Sequence, residues 1–98
     1  MTLSAISHYR GGAIDAVVPL AQSLKAIYLK YGVGYRLSRF QTGPNEGDWF
    51  VIVTYADATA YEKTQPLFPR DAELQQVFME IAKLAKRISR EMVIDFDL

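Results

Sequence analysis

The chain is 98 residues long, half of them apolar, with 11 basic and 11 acidic side chains, one histidine and no cysteine; that length predicts one domain, since cores divide only beyond roughly 250 residues. Zero net charge lacks the basic footprint of a nucleic-acid binder and removes the repulsion that opposes self-association. Without cysteine there is no disulfide framework, thiolate nucleophile or Cys-ligated metal, and a lone histidine excludes a two-histidine metal motif within the chain.

Leu3 to Arg10, closed by Gly11-Gly12, predicts a first strand. Ala13 to Tyr31 predicts a helix, because Ile14, Val17, Ala21, Leu24, Tyr28 and Tyr31 recur at three- and four-residue steps. Gly32 stands where a left-handed residue ends such a helix. Pro19 is tolerated early if Asp15 is the N-cap; otherwise it kinks the helix. Gly34 to Gln41 alternates around Tyr35, Leu37 and Phe40 and reads as a second strand. Asp48 to Ala56, with its run Trp49-Phe50-Val51-Ile52-Val53-Thr54-Tyr55, reads as a central strand covered on both faces. The turn-rich Thr42 to Gly47 joins these two as a hairpin.

Asp57 caps a short helix through Gln65, stopped by Pro66 and Pro69. Asp71 caps a longer one, in which Leu74, Val77, Phe78, Ile81, Leu84, Ala85 and Ile88 form the best amphipathic pattern of the chain. Extended through Glu91, that helix gathers Lys83, Lys86, Arg87 and Arg90 at its end, the sign its dipole favours. Met92 to Asp97, alternating Ile94 and Phe96 with Asp95 and Asp97, is then the last strand. The order is β-α-β-β-α-β, and its simplest closed solution is a ferredoxin-like α+β sandwich: a four-stranded, mostly antiparallel sheet with its helices on one face. Strands one and three lie in the centre. The other face is left bare.

Element order, length, the strand Trp49 to Asp57 entering a short helix, and the opening Asp71-Ala72-Glu73-Leu74-Gln75 together resemble the dimeric α+β barrel superfamily. Its relatives include the antibiotic-biosynthesis monooxygenase-like, EthD-like and NIPSNAP-like families. The resemblance covers nearly the whole chain and implies a homodimer packed sheet to sheet. Members of that superfamily include cofactor-independent oxygenases, haem-degrading enzymes, small-lactone isomerases and many proteins without assigned activity; if this chain is catalytic, the resemblance implies monooxygenase-like chemistry without metal or bound cofactor. Haem-degrading relatives place a histidine on the second long helix; none occurs between Asp71 and Glu91.

Few residues carry candidate chemistry. Histidine is the side chain suited to proton transfer near neutral pH, so His8 is the candidate general base, or else a hydrogen-bonded strand-end histidine. Arg36, read on the bare face with Ser38 and Phe40, must find a carboxylate or an anionic ligand. Asp95 is the candidate partner, within the chain or across a dimer. Trp49, Tyr55 and Tyr35 form candidate walls for a flat ligand, or plain core. Gly11-Gly12 before a helix is a weak anion-binding signal.

Two functions follow from these residues. One is a small-molecule site for a mostly apolar or aromatic compound, between sheet and helices or inside the barrel, with His8 as base and Arg36 as the electrostatic partner of a developing anion. The other is a non-catalytic dimerising module. No run of 18 apolar residues occurs and the first eight residues lack a charged segment before an apolar one, so the reading is of a soluble, cytoplasmic chain without a membrane partner.

Overall fold

The computed structural model describes residues 1–98. Eight segments form in order: β1 (Leu3–Arg10), α1 (Ile14–Leu29), β2 (Gly34–Arg39), β3 (Trp49–Tyr55), α2 (Ala58–Thr64), a 3-10 turn (Phe68–Arg70), α3 (Ala72–Leu84) and β4 (Lys86–Ile94). The sheet order is β2-β3-β1-β4 and every pairing is antiparallel. This is the ferredoxin-like arrangement expected, with β1 and β3 central. No helix is long and apolar enough to cross a membrane.

The period of two decides which side chains enter the core. Leu3, Ala5, Ser7 and Tyr9 of β1 face the helices, as do Trp49, Val51, Val53 and Tyr55 of β3. α1 answers with Val17, Leu24, Ile27 and Tyr28, and α3 with Leu74 and Ile81. The hydrophobic core therefore lies wholly on one side of the sheet. On the other side Ile6, Phe50, Ile52 and Val93 are only half-buried, and the two-face burial expected for β3 is met on one face alone.

The helix ends follow the chemistry of their termini. Val33 N–H bonds to Tyr28 C=O and Gly32 N–H to Leu29 C=O, with Gly32 at φ +70°. This is a Schellman closure, which a residue with a Cβ enters only at a cost. Asp57 accepts from Ala60 N–H at 2.8 Å and Asp71 from Leu74 N–H at 3.0 Å, so both expected caps form. Asp71 also accepts the Tyr31 hydroxyl at 2.6 Å, tying the end of α1 to the start of α3.

Two expectations are corrected. The N-cap of α1 is Ala13 and Asp15 lies inside the first turn, so Pro19 sits within the helix. More consequentially, α3 stops at Leu84, and Lys86 to Ile94 is strand. Ala85 turns fully extended (φ −146°, ψ 156°), and β4 pairs along all of β1 from Leu3 to Arg10. A helix through Glu91 would leave that side of β1 without hydrogen-bond partners, a larger loss than one amphipathic turn. Arg87 and Arg90 are thus strand residues. The Gly11-Gly12 turn serves this junction: both residues have positive φ, and a Cβ on Gly12 would meet the Leu84 carbonyl oxygen at 3.3 Å.

Candidate functional site

A cavity of about 430 Å³ opens between the sheet and the helices. Its floor is Ala5, Ser7, Val51 and Val53, and its walls are aromatic. Trp49 and Tyr9 stack nearly parallel, with centroids 4.3 Å apart, at one side. Tyr28 and Tyr35 stack at 5.7 Å, and Phe68 meets Tyr28 edge-on. Trp49 is held in place by its indole Nε1–H, which donates to the Gly11 carbonyl at 2.8 Å. The polar contributions are Ser7, Gln65, Gln75, the tyrosine hydroxyls and the guanidinium groups of Arg87 and Arg90.

Burial pushes the Tyr28 and Tyr35 hydroxyls well above the usual phenol range, and Tyr9 and Tyr55 upward as well. Desolvation of the phenolate form is the largest cause in each case. At neutral pH these four groups are therefore hydrogen-bond donors rather than bases. No aspartate, glutamate or histidine lines the cavity. It can hold a flat apolar body and donate to an oxygen; it has no group ready to take a proton.

The residues singled out in the sequence divide between the two faces. Trp49, Tyr55 and Tyr35 meet in the cavity. His8, Arg36 and Asp95 lie on the open face, with the sheet between them and the aromatic walls. Arg36 and Asp95 both border a shallow hollow of about 330 Å³ floored by Ser4, Ile6, Ile52 and Thr54, yet they form no ion pair within the chain. His8 has a different partner: its Nε2 lies 2.8 Å from Asp48 Oδ2. A carboxylate only accepts, so Nε2 carries the proton. Arg10 donates to the same oxygen at 3.0 Å through Nη2 and grips the carboxylate through Nε as well. The His8 ring also meets Phe40 edge-on at 5.2 Å.

Asp48 escaped the sequence reading because it seemed only to open β3. Its role depends on register, since Tyr9 opposite Trp49 is what brings His8 and Arg10 beside it. Tyr9 itself was legible from its parity with Leu3 and Ala5. Arg87 and Arg90 were hidden by the misplaced end of α3.

Hydrogen bonds from Arg10, and then from His8, hold the Asp48 carboxyl below its ordinary value of 3.8. A depressed folded-state value stabilises the fold above the unfolded one, and that contribution disappears as pH falls through the lower, folded one. Urea midpoints measured from pH 7 down to pH 2.5 are thus expected to fall below about pH 3.8. Asp48→Asn is expected to lower the midpoint at pH 7 and to flatten that acid slope. An unchanged slope in the variant would show that this cluster does not link folding to protons.

No protein-family model matches the chain, and no curated protein matches it in sequence. Solved structures do. Two structures of SnoaB, a cofactor-independent oxygenase from Streptomyces nogalater, superpose with TM-scores of 0.75 and 0.69 at 10% identity, covering 99% of this chain and 95% of that one. A Bacteroides thetaiotaomicron protein of unknown function, a possible oxidoreductase, gives 0.68 at 18% identity over 94% of this chain and 95% of its own. At such identities the likeness concerns the fold. In architecture the chain is a ferredoxin-like α+β sandwich, the fold it shares with these structures.

Proposed function

We propose that this protein binds a small, mostly apolar aromatic molecule in the cavity between sheet and helices, with Trp49, Tyr55 and Tyr35 as ligand-contacting walls. The observation that carries this reading is the cavity itself: about 430 Å³, within the roughly 300–1,000 Å³ of small-molecule sites, with aromatic walls and few polar groups converging on it. Oxygenase-like chemistry is compatible with the fold, since SnoaB is a cofactor-independent oxygenase. In such chemistry this chain would orient the substrate, exclude water and donate phenolic hydrogen bonds to a developing oxyanion. With no base in the cavity, the substrate must supply its own acidity.

The chain's partner in this reading is a second copy of itself, packed on the open face. Ile6, Phe50, Ile52 and Val93 are half-buried there. Arg36 and Asp95, unpaired within one chain, pair across that contact. A non-catalytic dimerising module uses the same face and differs in having no ligand.

Melting curves with a panel of neutral and acidic two-ring aromatic compounds test the ligand reading, alongside the indole N–H resonance of Trp49, the single tryptophan. A ligand at a hundred times its Kd is expected to add about 2.7 kcal/mol of stability and to shift the Trp49 resonance. If no compound of either kind does so, the dimerising module stands instead. Dioxygen uptake with a bound acidic phenol, in buffer free of added metal and flavin, separates enzyme from binder.

A further inference from the structure

The cavity carries positive charge that nothing in the chain neutralises. Arg87 and Arg90 both border it from β4, and neither takes part in any of the chain's ion pairs. Their placement follows from strand parity. Arg90 stands opposite Ser7 and Arg87 opposite Tyr9, both on the cavity side of β1, whereas Glu91 stands opposite Ile6 on the open face. Lys86, opposite Arg10, also falls on the open face, so the two arginines are the charges that β4 turns toward the cavity. Arg90 is also close enough to draw Tyr9, Tyr28 and Tyr55 downward against the effect of their burial, so its charge reaches phenols on three different elements. Simple solvation of an edge-strand arginine explains the exposure of both side chains at the rim. It does not explain why the cavity combines two unpaired guanidinium groups with no acid at all.

We propose that the cavity selects planar aromatic carboxylates, with Arg90 and Arg87 as its specificity-determining residues. This rests on the cavity being the ligand site. A guanidinium presents a planar fork that takes a carboxylate through two parallel hydrogen bonds, and the rings behind it take the flat apolar body. The ligand arrives already ionised, which agrees with the absence of a base in the lining. The neutral tyrosine hydroxyls add donors.

The test compares 2-naphthoate with 2-naphthamide, two flat ligands alike in shape that differ in charge, using the full chain and the Trp49 indole resonance. Naphthoate is expected to bind at least about tenfold more tightly, the scale of one charge-assisted hydrogen bond. Arg90→Gln, checked for folding by circular dichroism, is expected to weaken naphthoate binding about tenfold and so bring the two affinities together; Arg87→Gln is an independent second variant. Equal affinities for the two probes would overturn the inference and leave the cavity as a neutral aromatic site. Retention of the full preference in both variants would overturn it too, as would tighter binding of 2-naphthyl phosphate. If neither probe moves the Trp49 resonance, this inference and the cavity reading beneath it both fail.

Discussion

Trp49→Ala is expected to be the most destabilising single truncation in the protein. Trp49 is 1% exposed, stacks on Tyr9 and satisfies the Gly11 carbonyl through its indole N–H. Deleting a buried tryptophan costs about 3–5 kcal/mol through lost transfer energy and the cavity left behind. In a domain of this size each kcal/mol lowers the melting temperature by about 4–8 °C, so a fall of ~12 °C or more is expected by calorimetry. The substitution also releases the Gly11 turn, whose backbone packs against the Leu84 carbonyl where α3 gives way to β4. Phe50→Ala, one residue along but on the open face, is the comparison; its effect on the isolated fold is expected to be smaller. Equal losses in the two variants would contradict a core confined to one side of the sheet.

Ile52→Asp is expected to leave each chain folded and to separate the pair. Ile52 lies opposite Ile6 in the middle of the open face, half-buried in the single chain, so a carboxylate there remains hydrated in a monomer. In a sheet-to-sheet dimer it would be buried without a counter-charge, which costs about 3–5 kcal/mol, or at least two orders of magnitude in Kd. Sedimentation at micromolar concentration should show the parent at twice the 11.1 kDa chain mass and the variant at that mass, with unchanged helical circular dichroism. A parent that sediments as a folded single chain would remove the dimer from the proposal. It would leave the ligand cavity untouched, because that cavity is lined entirely from within one chain.

These two expectations separate the faces that the sequence reading had joined. Alternation along β2 was enough to read Arg36 on the bare face with Ser38 and Phe40; the strand pairings are what put His8 on that same face and Trp49 and Tyr55 on the other. What parity could not supply was distance through the sheet. A base on one face and walls on the other cannot enclose one molecule, so His8 belongs with Asp48 and Arg10 rather than with Trp49 and Tyr55.

By itself the sequence determined the element order, the two aspartate caps, the Gly32 closure and the alternation along β2. All of these are local: they depend on neighbours within a few positions, where propensity, capping and period act. Only the tertiary structure decided where α3 ends, because the apolar steps at Leu84, Ala85 and Ile88 suit a helix and the competing pull is the need of β1 for a partner some eighty residues away in the chain. That long-range pairing moved Arg87 and Arg90 from a solvated helix end to the rim of the aromatic cavity. The pairing of β1 with β3, equally remote in sequence, set Asp48 beside His8. Backbone hydrogen bonds that join distant segments carry no signature in either segment alone, and here they placed the charges that the candidate sites depend on.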